Sequence, residues 1–137
     1  MEKIVSIKKG AVTYALIFRN VSAAGGARFL TEPGEELQAG VMERSTGYIV
    51  QPHRHTRGAK NIEGLSEFLY IERGKIRVTV YDDLWKLLGQ ETLSTGDFLL
   101  FYRGGHGIEV LETCRMIEVK QGPYVGTATV KNFQSAS

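Results

Sequence analysis

The sequence predicts an all-β fold, either a sandwich or a closed jelly-roll barrel, from three observations. Short β-branched and aromatic runs recur along the chain, glycine-containing turns separate them, and no stretch reads as a long amphipathic helix. Closure deals with the exposed edges that so many strands would otherwise leave. A chain of 137 residues is large enough to bury a core without staples and reads as one domain. Its core barrel is expected over about 11–122, followed by a polar tail over 123–137.

Taken in order, Ala11 to Asn20 is β-branched and aromatic and predicts the first clear strand, after an apolar, β-prone N-terminus. Val21 to Gly26 is small and reads as loop, and Arg28-Phe29-Leu30 as a short strand before the turn at Pro33-Gly34. Leu37 to Glu43 predicts a strand, and Ser45-Thr46-Gly47 a turn into Tyr48-Ile49-Val50. Pro52 suits an edge strand or a bulge. Thr56 to Leu65 reads as a polar loop.

Glu67 to Glu72 and Lys75 to Tyr81 read as two strands joined at Arg73-Gly74. In the second, Ile76, Val78 and Val80 alternate with Arg77, Thr79 and Tyr81. Asp82-Asp83 predicts a turn, and Leu84 to Leu88 fits a strand or one helical turn, with the strand favoured because Gly89 and Thr92-Leu93 continue a hairpin. Ser94 to Asp97 is a turn, Phe98 to Tyr102 a strand and Arg103 to Gly107 a loop. Ile108 to Leu111 and Cys114 to Lys120 close the set of strands.

Composition narrows the function classes. Hydrophobic content of 42% and charged content of 23% are ordinary for a globular domain. A net charge of +2 with no basic run interleaved with aromatics argues against nucleic acid as a partner. The N-terminal apolar patch is too short for a membrane span and lacks a small-residue cleavage site. The single Cys114 excludes an internal disulfide framework and fits a reducing compartment, so a cytoplasmic location is expected. Walker-type, GxGxxG, CxxC and nucleophile-elbow motifs are absent.

The chemistry-bearing residues cluster in two glycine-bracketed units. His53 and His55 stand two apart, so on a strand both imidazoles would face one space, as a single metal ion requires. Glu67 opens the next apolar run, and His106 lies in GGHG after another. An ionised carboxylate buried in a barrel would need a cation or hydrogen bonds, so an inward Glu67 favours a metal and an outward one leaves three histidines. Arg57, Lys60 and Arg103 are candidates for holding a phosphate or carboxylate, and Tyr102 for lining the pocket. Lys120 and Tyr124, in KQGPY, could reach the same mouth or a dimer partner, or simply form a polar strand end.

Gly47-x5-His53-x-His55 followed by Glu67-x6-Gly74 resembles the first motif of the cupin superfamily. Gly96-x5-Tyr102-x-Gly104 with His106 resembles the second. The spacer from His55 to Glu67 is eleven residues where the motif has three or four, which puts Glu63 forward as an alternative ligand. Tyr102 stands at the usual proline, His106 comes one residue early, and the motif's asparagine is unmatched. The ending MIEVKQGPYVG, with GGHG upstream, resembles small single-domain cupins associated with sugar and nucleotide-sugar gene neighbourhoods.

The resemblance implies a double-stranded β-helix, the jelly-roll cupin barrel. It also implies a divalent metal (iron, manganese, zinc or nickel) held by His53, His55, Glu67 and His106, and paired barrels in a homodimer. The function it implies is metal-dependent oxygenase or isomerase chemistry on a small polar, sugar-like or carboxylate-bearing substrate, with Glu67 available as a catalytic base. Two other classes stay open: a non-catalytic ligand-binding or metal-sensing module, and a metal-free sugar-nucleotide isomerase using acid–base pairs.

Overall fold

A computed structural model describes residues 1–56, 58, 62, 64–122 and 133–135. All regular structure among them is β, with no helix. The strands are β1 (Lys3–Lys9), β2 (Val12–Arg19), β3 (Ala27–Phe29), β4 (Gly40–Met42), β5 (Glu67–Tyr81), β6 (Leu87–Ser94), β7 (Phe98–Phe101) and β8 (Gly105–Lys120). One antiparallel sheet runs β1-β2-β7-β5-β6 with β8 also paired to β5, and β3 and β4 form a separate hairpin. The large sheet curls into a half-barrel.

The curl is made by β5. Its first arm, Glu67 to Tyr70, lies between β7 and β8, while its second, Lys75 to Tyr81, lies between β6 and β8. Between the arms the β5–β8 register shifts three times, from Ile71 to Ile76, and such bulges bend a strand and increase its twist. Gly74 sits at the bend with φ +97°, and a β-carbon there would meet Thr113 O and lie 2.6 Å from Cys114 Cα. Only glycine accepts both conditions. The expected turn at Arg73-Gly74 is therefore a bend within one continuous strand, and the strands expected on either side of it are one.

Alternation along β5 explains the core. Leu69, Ile71, Ile76, Val78 and Val80 face inward and join Ile17, Leu93, Leu99 and Phe101, all nearly or fully excluded from water. Each such side chain contributes about 1.5–3 kcal/mol by leaving water. Phe18, Leu100 and Tyr102 pack on the sheet's other face, under Val21, Leu30, Leu37 and Ala39.

Several local expectations change. Ile108 to Leu111 and Cys114 to Lys120 are parts of a single β8, which starts early enough to take His106 out of its expected loop. Leu84 to Lys86 turns rather than extends, because Asp82 Oδ1 accepts hydrogen bonds from the Leu84 and Lys86 amides, both 2.9 Å, and wraps the chain around itself. Tyr48 to Val50 forms no strand, although its composition favours one. The tail beyond Gly122 falls outside the described residues except for 133–135.

Candidate functional site

Glu67 is the first residue of β5 and shares the inward row with Leu69 and Ile71. Its register partners are Phe101 on β7 and Lys120 on β8, so all three side chains point to the interior of the half-barrel. His106 is opposite inward-facing Val80 and reaches the same interior from the start of β8. The bend in β5 folds the β5–β8 ribbon over, and this brings His106 to Glu67.

The resulting contact is close. His106 Nε2 lies 2.9 Å from Glu67 Oε2, with Glu67 only 13% exposed and His106 30%. Lys120 Nζ stands 3.8 Å from the other carboxylate oxygen and 3.1 Å from Glu118 Oε1. A carboxylate so far removed from water needs this donor and this charge to offset its lost hydration. The His106 ring stacks on Phe101 with centroids 3.9 Å apart and planes within 5°. Phe101 is itself core, so the imidazole is held by a rigid wall.

His53 and His55 make a second pair. Their ring centroids are 5.1 Å apart, both residues are exposed, and His53 Nδ1 is 2.8 Å from Gln51 O. They lie on a segment outside the sheet. Among the described residues no group of three or more His, Cys, Asp or Glu converges as a metal site. The donor types, three imidazoles and a carboxylate, fit a divalent transition metal. The structure brings them together as two pairs rather than as one cluster.

The other sequence candidates divide. Arg57, Lys60 and Glu63 lie outside the described residues. Arg103 donates to Thr13 O and lies 3.3 Å from Glu35 Oε2, which ties it to the scaffold. Tyr102 alternates with Phe101, so it faces the sheet side opposite Glu67 and is 4% exposed. Its hydroxyl has no hydrogen-bond partner among the described residues. Burial, followed by the charge of Glu35, pushes the phenol up to about 12. A cavity of about 250 Å³ beside it is bordered by Glu35, Glu36, Ser66, Tyr102 and Arg103.

From the sequence Phe101 reads only as core or wall, since a phenylalanine in an apolar run looks like any other core residue. Lys120, expected from the sequence as able to reach the mouth, lies 3.8 Å from Glu67 Oε1. Comparison with family models, curated proteins and solved structures finds no match. No helix among the described residues is long and apolar enough to cross a membrane.

Proposed function

We propose that this chain is a small cupin-type protein, a double-stranded β-helix. Its barrel interior holds one divalent metal ion through His53, His55, Glu67 and His106 and acts on a small polar substrate. The observation that carries this reading is the 2.9 Å contact between Glu67 and His106 on the inner face, since it supplies two ligand types from distant parts of the chain. The two cupin-like motifs support it from the sequence side.

A bound metal would supply Lewis acidity or, for a redox-active ion, oxygen activation. The protein's own residues do the remainder. Phe101 holds the His106 ring in plane and keeps water off one face. Glu67 accepts a hydrogen bond from His106 Nε2 when that nitrogen carries its proton, so it is the carboxylate placed to take up a proton inside the barrel. Lys120 sets a positive charge 3.8 Å from that carboxylate's other oxygen. Arg57 and Lys60 retain their proposed role of orienting an anionic group on the substrate.

A second reading draws on the separation of the two histidine pairs. In it, Glu67 and His106 form a metal-free acid–base couple, and His53 and His55 take no part. Elemental analysis of untagged protein, beside His53→Ala and His106→Ala, separates the two. Close to one metal per chain, lost in both variants, supports the metal site. Metal-free protein that takes up none when it is supplied leaves only the acid–base couple.

A further inference from the structure

The 250 Å³ cavity beside Tyr102 has no part in the metal reading. Glu67 and Phe101 are register partners whose side chains point into the half-barrel. Ser66 and Tyr102, their chain neighbours, meet on the other side of the sheet, at this cavity. Gly34 and Gly64 border it as well and have no side chains to fill it. Its volume is below that of a pocket for a drug-sized ligand, so it suits a molecule of a few heavy atoms.

One polar group at this cavity lacks a partner. Tyr102 is 4% exposed, and its hydroxyl makes no hydrogen bond among the described residues. A phenylalanine would fill the same space without that cost, so the hydroxyl calls for a reason. Burial, then the charge of Glu35, raises its pKa to about 12, and Arg103 acts on it in the opposite sense. Glu35 and Arg103 both stand on the cavity wall, which puts the hydroxyl on that side of the ring. It is a neutral group that can both donate and accept.

Charge narrows the ligand. Among the described wall residues Arg103 is the cation, and it donates to Thr13 O and lies 3.3 Å from Glu35 Oε2. One guanidinium thus stands against two carboxylates, those of Glu35 and Glu36. The wall keeps an excess of negative charge, which repels an anion and attracts an ammonium group.

We propose that this outer cavity is a second binding site, which takes a small primary ammonium compound that also carries a hydroxyl group. The ammonium is held by the carboxylates of Glu35 and Glu36, and the ligand's hydroxyl exchanges a hydrogen bond with that of Tyr102. Tyr102 and Arg103, grouped by the sequence with the metal site, serve this one instead. The site lies across the sheet from Glu67 and His106, and it does not require the metal reading to hold.

Titration of ethanolamine into EDTA-treated, untagged protein tests it, read by amide NMR shifts, with acetate and ethylene glycol as controls. The expected result is saturable shifts at Gly34, Gly64, Ser66 and Arg103, with a roughly millimolar Kd for so small a probe. Neither control should saturate at comparable concentration. Tyr102→Phe, which removes only the unpartnered hydroxyl, should fold as well as the parent and bind about fivefold more weakly. Glu35→Gln should weaken binding about tenfold or more, because a charged partner is lost. No saturable shift with ethanolamine overturns the site, as does an equal response to acetate or ethylene glycol. Unchanged affinity in Tyr102→Phe also overturns it. Affinity kept in Tyr102→Phe but lost in His106→Ala would place the probe in the half-barrel interior instead. Because the protein is stripped of metal throughout, these outcomes stand whether or not it binds a metal ion.

Discussion

His106 lies 2.9 Å from Glu67, although the two residues stand near opposite ends of the folded β5–β8 ribbon. The contact depends on a bend of that ribbon rather than on any local motif. Everything proposed for the site therefore rests on the residues that make the bend.

Gly74 is the first of these. Gly74→Ala would place a methyl group against Thr113 O and Cys114 Cα in a backbone conformation that L-residues avoid. Destabilisation by about 2 kcal/mol or more is expected in urea unfolding. The His106 imidazole signals should shift as well, because the bend delivers that ring to Phe101 and Glu67. A variant with unchanged stability and unchanged His106 signals would show that the bend is not set there.

Tyr102 offers an opposite prediction. Its buried hydroxyl lacks a partner among the described residues, so Tyr102→Phe removes a polar group that gains nothing from being inside. A gain of about 1 kcal/mol is expected in denaturant unfolding. Because Tyr102 faces away from Glu67, the variant should also bind metal as the parent does. A clear loss of stability would mean that the hydroxyl has a partner in solution.

Acid stability should follow Asp82. Its carboxylate lies 2.8 Å from Lys9 Nζ and also accepts the Lys86 and Leu84 amides, and the Lys9 contact is the largest cause of a carboxyl lowered from 3.8 to about 2. The folded value is depressed, so the stabilisation is complete above about pH 4 and is lost as pH falls towards 2. Lys9→Met should lower the melting temperature at neutral pH and flatten its fall between pH 4 and pH 2, as read by circular dichroism. An equally steep fall in the variant would assign the acid sensitivity elsewhere.

How far the sequence carried depends on which interactions are local. The alternation of Ile76, Val78 and Val80 marks an inward row, and the structure confirms it because one face of a strand is enough to reveal burial. Gly74 was legible as a special backbone position. Whether the chain reverses or merely bends there depends on β8, far away in sequence. Tyr48 to Val50 reads as a strand by composition, yet a strand also needs a partner edge, and no local signal says whether one is filled.

The site shows the same division. His106 and Glu67 were identifiable by residue type and spacing, whereas their mutual contact and the Phe101 stack come from register. Leu84 to Lys86 misled because the Asp82 carboxylate, bonding to amides two and four residues on, outcompeted an apolar pattern.

The most direct test of the central claim is calorimetric titration of Zn²⁺ into EDTA-treated, untagged protein. If Glu67 and His106 are half of a metal centre, uptake should reach about one ion per chain. That uptake should vanish in His106→Ala. Absence of uptake by the parent protein, or equal uptake by parent and variant, would contradict the account.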